Sequence, residues 1–275
     1  MTGGKAARWV DEDIADVLTN KAVSFIETNK SAPFFLFYST HDIHEPMVPH
    51  PRFRGTSDCG WRGDVIHQLD WSIGQLMDAL DRNGLTDNTL VVFTSDNGGA
   101  IKNTYDDGTN ALHGNQPPNG SLRASKGALY EGGHRVPFIT RWPGHIPKGS
   151  VSGELIGHVD AMASFAGLSN QKLDASAAPD SFNVLSAWLG KKTEVPARDH
   201  LVLQGNAPNP LALRVGDWML IEKGGAKKNA KAPLIELYNL ATDLSQSVNV
   251  AENEPERTKA MAARLKTIRE NRHSR

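Results

Sequence analysis

An α/β architecture followed by a small antiparallel sheet is the fold that this sequence predicts, and three observations carry it. Apolar stretches at strand and helix periods alternate through residues 11–189. The run VVFTSDNGGA (91–100) stops at an acid, an amide and two glycines. After Pro196, four short apolar runs follow one another with no helical spacing between them. Strands alternating with helices point to a parallel sheet, and strands in succession to an antiparallel one.

The elements follow in order. From Asp11 to about Asn29, the residues Ile14, Val17, Leu18, Ala22, Phe25 and Ile26 recur at helical spacing, and Asp11, Glu12 and Asp13 enrich the first turn, where the helix dipole favours acids. The first twenty residues contain no apolar h-region and read as the lead-in to this helix. PFFLFYS (33–39) is apolar throughout and reads as a strand buried on both faces. It runs into THDIHEPMVPHP, too rich in His and Pro to be regular. Ile66, Leu69, Ile73, Leu76, Met77 and Leu80 mark a second helix, with a C-cap signal at Asn83-Gly84. Val91, Val92, Phe93 and Thr94 read as another strand buried on both faces.

A polar loop from Gly98 to Ser125 follows, of a length that is usually functional or disordered. PFITRW (137–142) is a third short strand, and helical patterns cover His158 to Leu168 and Asp180 to Leu189. HLVLQ, LALRVG, WMLIEK and LIELYNL are the candidate strands of the antiparallel sheet, GGAKKNAKA reads as a solvated basic turn, and a polar helix runs from about Pro255 to Asn271. The expected division is a main domain over 1–197 and a small α+β subdomain over 198–275.

At 275 residues the chain can bury a sizeable core. It is 39% hydrophobic and 22% charged with a formal net charge of -1, which gives no basis for nucleic acid or an anionic membrane as partner. A single cysteine, Cys59, excludes an intrachain disulfide and a multi-cysteine metal site, and leaves the redox compartment open. No apolar run approaches the roughly 20 residues of a membrane span.

The crevice beyond the carboxyl ends of strands is where open α/β sheets bind ligands, and Asp96 and Asn97 fall there. By itself Asp-Asn-Gly is a common turn. A carboxylate beside an amide oxygen also suits a hard cation such as Ca²⁺. His41 and His44 lie at the exit of PFFLFYS; singly each is an ordinary histidine, but with Asp96 they make a cluster of titratable groups. KGALYEGGHRVP supplies Lys126 and Arg135, and a lysine there is either a solvated surface group or a point charge that holds an oxyanion.

FFLFYSTHDIHEP, then GDVIHQLDWSIGQLMDALDRNGLTDNTLVVFTSDNGG, then LRASKGALYEGGHRVPFITRWPG resemble, in that order, the type I sulfatases of the alkaline-phosphatase superfamily. HVDAMASFAGL, DSFNVLSAWLG and ELYNLATDLSQSVNVAE extend the resemblance over nearly the whole chain. It implies an alkaline-phosphatase-like sheet flanked by helices and sulfuric ester hydrolysis assisted by Ca²⁺, with Mg²⁺ the other option. Asp96 and Asn97 match cation ligands, Lys126 the lysine that holds sulfate, and His44 the histidine near the scissile ester oxygen. In such enzymes a formylglycine hydrate made from Cys or Ser attacks sulfur, and the resemblance also gives Asp96 a part in activating it. The implied partner is a sulfated small molecule or carbohydrate, and the implied localisation is periplasmic or extracellular.

The chain departs from the pattern in three respects. The nucleophile motif C/S-x-P-x-R does not occur, and Cys59 in SDCGWRGD lacks its proline and reads as an unmodified loop cysteine. An early Asp pair and a Lys-x-His segment are also absent. The expectation is a C-terminal portion of a sulfatase, inactive alone, whose missing N-terminal segment or second chain would cover its sheet edges. Two alternatives stay open: a phosphomonoester or phosphonate hydrolase of the same superfamily, and a non-catalytic protein that binds sulfated ligands. Tyr105, Asp106, Asp107 and His113 in the long loop are expected to border the cleft, while His134 and Arg135 could be structural or substrate-facing.

Overall fold

The structure, a computed structural model, describes residue 4 and residues 8–100, 118–174, 176–206, 210–223 and 234–275. The chain divides into two compact units, Met1–Val91 with Ala100–Pro118, and Val92–Gly99 with Asn119–Arg275. The long loop's Tyr105, Asp106, Asp107 and His113, and the basic turn GGAKKNAKA, lie outside the described residues.

In the first unit, helix α1 (Ile14–Asn29) follows a 3₁₀ turn at Asp11–Asp13, and helix α2 spans Gly60–Arg82. They pack through Ile26, Ala79 and Leu80, with Val23, Leu76 and Leu85 around them. Helix α2 ends as its sequence requires. Gly84 takes φ +66°, Leu85 N donates to Leu80 O (2.9 Å) and Gly84 N to Asp81 O (3.1 Å), the paired bonds of a Schellman motif.

Two expectations fail in this unit. Residues 33–40 form no strand: Phe34, Leu36 and Tyr38 are half-buried, whereas Phe35 is 68% and Phe37 81% exposed. The run is apolar on both sides, but only alternate side chains reach the α1–α2 core, as an extended backbone dictates. The inward face of α2 also differs from its apolar stripe, because Ile66 is exposed while Gln68, Ser72 and Asp64 are buried. Buried polar groups persist where they are bonded. Asp64 accepts from the backbone of Gly55 (2.8 Å) and Ser57 (3.0 Å), and Gln68 Oε1 accepts from His50 N (2.8 Å).

In the second unit, strand β1 (Val91–Thr94, its first residue counted with the first unit) pairs with β2 (Phe138–Arg141), and helix α3 (Glu131–His134) is a single turn just before β2. Strand β1 is half-buried, with Thr94 exposed, where burial on both faces was expected. Helix α4 (Ala161–Leu168) matches the first of the two later helical patterns, whereas α5 (Leu185–Trp188) occupies only the end of the expected Asp180–Leu189 helix. Arg198 and Asp160 are buried together. The guanidinium reaches the carboxylate through Nε (3.0 Å) and a terminal nitrogen (2.6 Å) and also donates to the carbonyls of His200 and Asp180. Such pairing is what makes two buried charges tolerable.

The four expected strands form an antiparallel meander, β3 (His200–Gln204), β4 (Leu211–Val215), β5 (Trp218–Lys223) and β6 (Leu234–Asn239), in sheet order 3-4-5-6. Val215 faces Trp218 across a Gly216-Asp217 turn, and Gly216 at φ +54° suits the first central position of a hairpin turn. Side-chain alternation gives the sheet two buried faces. Leu213, Leu220 and Leu237 meet Met261 and Leu265 of helix α6 (Pro255–Asn271), while Ala212, Met219, Ile221 and Tyr238 meet Leu129. Truncating a fully buried leucine here leaves a cavity that backbone rigidity keeps open. Leu265→Ala is expected to lower unfolding free energy by about 3 kcal/mol in urea titrations; an unchanged midpoint would mean that α6 does not dock on the sheet.

Candidate active site

Strand β1 delivers the turn 95–99 to its carboxyl end. Thr94 Oγ1 donates to Pro137 O (3.0 Å), and Ser95 Oγ to Asn97 O (3.2 Å). Asp96 is exposed and Asn97 half-buried. The Asn97 amide donates through Nδ2 to Gly98 O (3.0 Å), which turns Oδ1, its acceptor atom, the other way. Gly98 N donates to Gly133 O (3.0 Å), and a Cβ on Gly98 would lie 2.0 Å from Gly132 O, so only glycine permits this approach.

The loop bearing Lys126 is bonded to the same turn. Lys126 N donates to Gly99 O (3.3 Å), with its side chain exposed. Asn119 joins the two segments: its Oδ1 accepts from Gly99 N (2.8 Å), and its Nδ2 donates to Gly99 O (2.8 Å) and Ala124 O (3.0 Å). Gly127 takes φ +85°, and Asn206 N donates to its carbonyl (3.0 Å). The structure thus brings Asp96, Asn97 and Lys126 onto adjoining segments of one unit.

His44 belongs to the first unit and is exposed. Its Nδ1 meets Glu45 O at 2.7 Å; a carbonyl only accepts, so Nδ1 carries the proton of that bond. Gln68 Nε2 donates to both oxygens of Asp42 (3.2 and 3.1 Å) in the same loop, and burial pushes Asp42 above the usual carboxylate range against that hydrogen bond.

Arg135 is held by Glu131, a fully buried carboxylate, and His134 Nε2 donates to Leu129 O (3.2 Å). Arg135 Nε donates to Glu131 Oε2, Arg214 lies 4.0 Å away and His134 Nε2 3.7 Å away, while Glu131 N donates to Gln246 Oε1 (2.7 Å). Burial pulls His134 below its ordinary range, with Glu131 opposing. Beside them, Arg123 donates to Gln246 O (2.8 Å) and Tyr238 OH (3.0 Å) and stacks 3.9 Å over Tyr130. Burial and then the Glu236 carboxylate push Tyr238 up to about 12. Asn119, Glu131 and Gln246 were not singled out in the sequence; the KGxxxEGGxRVP motif contains Glu131 but does not announce that it is buried.

Among the described residues no group of three or more His, Cys, Asp or Glu side chains is arranged to hold a metal ion, and no helix is long and apolar enough to cross a membrane. Asp96 and Asn97 offer hard oxygen donors of the kind Ca²⁺ takes, but two residues fall short of its usual roughly 6 to 8 oxygens.

A mixed α/β chain that sets an acid and an amide at a strand's carboxyl end, with a lysine loop bonded beside them, has the form of an α/β enzyme with its ligand at the sheet edge. A family profile described as Sulfatase matches residues 6–171. The chain belongs to the sulfatase family. It is 44% identical over 279 residues to an N-acetylgalactosamine-6-O-sulfatase of Bacteroides thetaiotaomicron, covering 98% of this chain and 53% of that protein. It is 41% identical over 145 residues to arylsulfatase H of Homo sapiens, covering 52% of this chain and 25% of that one. A sulfatase structure from work on glycosaminoglycan metabolism by Bacteroides thetaiotaomicron superposes with a TM-score of 0.89 at 43% identity, over 97% of this chain and 56% of that one. Ps i-CgsB in complex with k-i-k-neocarrahexaose superposes at 0.72 with 27% identity, over 92% and 54%. The chain thus spans about half the length of the Bacteroides relative, 53%.

The turn that carries Gln246 has its own titratable anchor. Burial works against ionisation of Asp243, but the backbone N–H groups of Val248 and Ser247 and the hydroxyls of Ser247 and Ser245 hold it down, from 3.8 to about 2. A depressed carboxylate contributes stability that is present above the unfolded value of 3.8 and lost as pH falls toward about 2. Asp243→Asn is therefore expected to flatten the acid limb of the unfolding profile across that window; an acid limb of unchanged slope would locate the loss elsewhere.

Proposed function

We propose that this chain carries the cation- and sulfate-facing residues of a sulfuric ester hydrolase acting on a sulfated carbohydrate, a 6-O-sulfated amino sugar of the N-acetylgalactosamine type. The observation that carries the reading is the bond from Lys126 N to Gly99 O (3.3 Å), which sets the lysine loop against the Asp96-Asn97 turn. The 44% identity to an N-acetylgalactosamine-6-O-sulfatase over 98% of the chain supports the choice of sugar. In this reading the reaction takes place outside the cytoplasm.

In this reading Asp96 and Asn97 Oδ1 are two of the ligands of a Ca²⁺ or Mg²⁺ ion, and the remaining ligands come from other groups or water. Bound there, the cation supplies neutralisation of sulfate oxygens. The Lys126 ammonium holds another sulfate oxygen, a point charge against the charge that builds as the S–O bond lengthens. His44, with its proton fixed on Nδ1, presents Nε2; in the imidazolium form it donates that second proton to the leaving oxygen, which departs as the alcohol. The attacking group is not among these residues. With no C/S-x-P-x-R motif in its 275 residues, the chain is proposed to supply no formylglycine nucleophile and to be inactive alone.

The purified chain is expected to bind N-acetylgalactosamine 6-sulfate in the presence of Ca²⁺ without turning over an aryl sulfate, and Lys126→Ala to weaken that binding about tenfold. Binding untouched by Lys126→Ala would remove the lysine from the site. Aryl sulfate turnover by pure chain, abolished in Lys126→Ala, would overturn the proposed inactivity.

A further inference from the structure

We propose that Asn119 is the positioning residue that sets Lys126 relative to the Asp96-Asn97 turn. The inference rests on the reading of Lys126 as a sulfate-holding residue and extends it to an uncharged residue. Its side-chain amide makes three hydrogen bonds, all to backbone: Gly99 N, Gly99 O and Ala124 O, at 2.8, 2.8 and 3.0 Å. Gly99 is the last residue of the turn that holds Asp96 and Asn97, and Ala124 lies two residues before Lys126. One planar group therefore spans the two segments.

The chemistry of an amide is what the position demands. Gly99 presents a donor and an acceptor to the same side chain, and Ala124 an acceptor, so the partner needs one acceptor oxygen and a nitrogen with two protons. Asn meets this at its own length. Asp would keep the bond from Gly99 N but turn an anionic oxygen on two carbonyls, and Ala would remove all three bonds. Ala124 itself sits at φ +65°, outside the region that a residue with a Cβ ordinarily prefers, so the bend before Lys126 needs an external hold on its carbonyl. Gly99 O accepts from Asn119 Nδ2 and from Lys126 N, using both lone pairs, and the side-chain bridge thus fixes the carbonyl that receives the lysine's own backbone.

A role in positioning and a role in stability alone separate experimentally. In the full chain, Asn119→Ala and Asn119→Asp are compared with wild type by amide hydrogen exchange and by titration with inorganic sulfate. The expected result is exchange faster by about tenfold at Gly99 and Lys126, unchanged protection of strands β3 to β6, and sulfate affinity lowered by about tenfold in both variants. Lys126→Ala is expected to lose sulfate affinity while leaving exchange at Gly99 unchanged. Faster local exchange with undiminished sulfate affinity would make Asn119 structural and overturn the proposal, as would unchanged exchange at both amides. If wild-type chain does not bind sulfate, the reading of Lys126 fails by itself, and the exchange comparison still decides whether Asn119 couples the two segments.

Discussion

A carboxylate with no exposure to water constrains much of the second unit. Glu131 is buried at the start of a one-turn helix, and an ionised group there persists only where cations and hydrogen bonds replace its solvent. Arg135 comes from its own turn, Arg214 from strand β4, and Gln246 bonds its backbone from beyond β6. Meeting that demand draws the segment after Lys126 onto the meander, where Leu129 enters the sheet core beside Tyr238. Burial pushes the Arg214 guanidinium down and the Glu131 charge opposes it, so the partner also depends on the pair. Local chain geometry, sheet packing and the placement of the lysine loop are consequences of one solvation problem.

The meander solves a second problem in the same act. A sheet with apolar clusters on both faces must have both of them covered. Helix α6 covers one with Met261 and Leu265, and the segment around Leu129 covers the other. The C-terminal strands are thus a platform on which the loop of the candidate site rests, and not an appendage with a separate task.

What the sequence made legible follows from how local each signal is. HLVLQ, LALRVG, WMLIEK and LIELYNL were readable as strands because short apolar runs bounded by Gly, Asn and Pro have few other ways to fold. The end of α2 at Asn83-Gly84 was equally local. PFFLFYS was misjudged because composition does not say which of two faces will find a neighbour, and the inward face of α2 because Gln68 and Asp64 are buried by partners in loops that periodicity ignores. Asp96, Asn97, Lys126 and His44 could be named from motifs; Asn119 could not, and Gln246 lay within a quoted stretch with nothing to mark its role. Their partners are backbone atoms, one of them 115 residues away, and a polar residue in a loop carries no mark of what it bonds to.

The contact between Gly98 and Gly132 has a further meaning for how such a site can vary. A Cβ on Gly98 would sit 2.0 Å from Gly132 O, and one on Gly132 2.5 Å from the carbonyls of Arg123 and Ala124. At Gly98 and Gly132 the frame of the candidate site is therefore main chain pressed on main chain, intolerant of any side chain at those two positions. Variation has to come through the residues around this frame, because the frame itself offers no small steps.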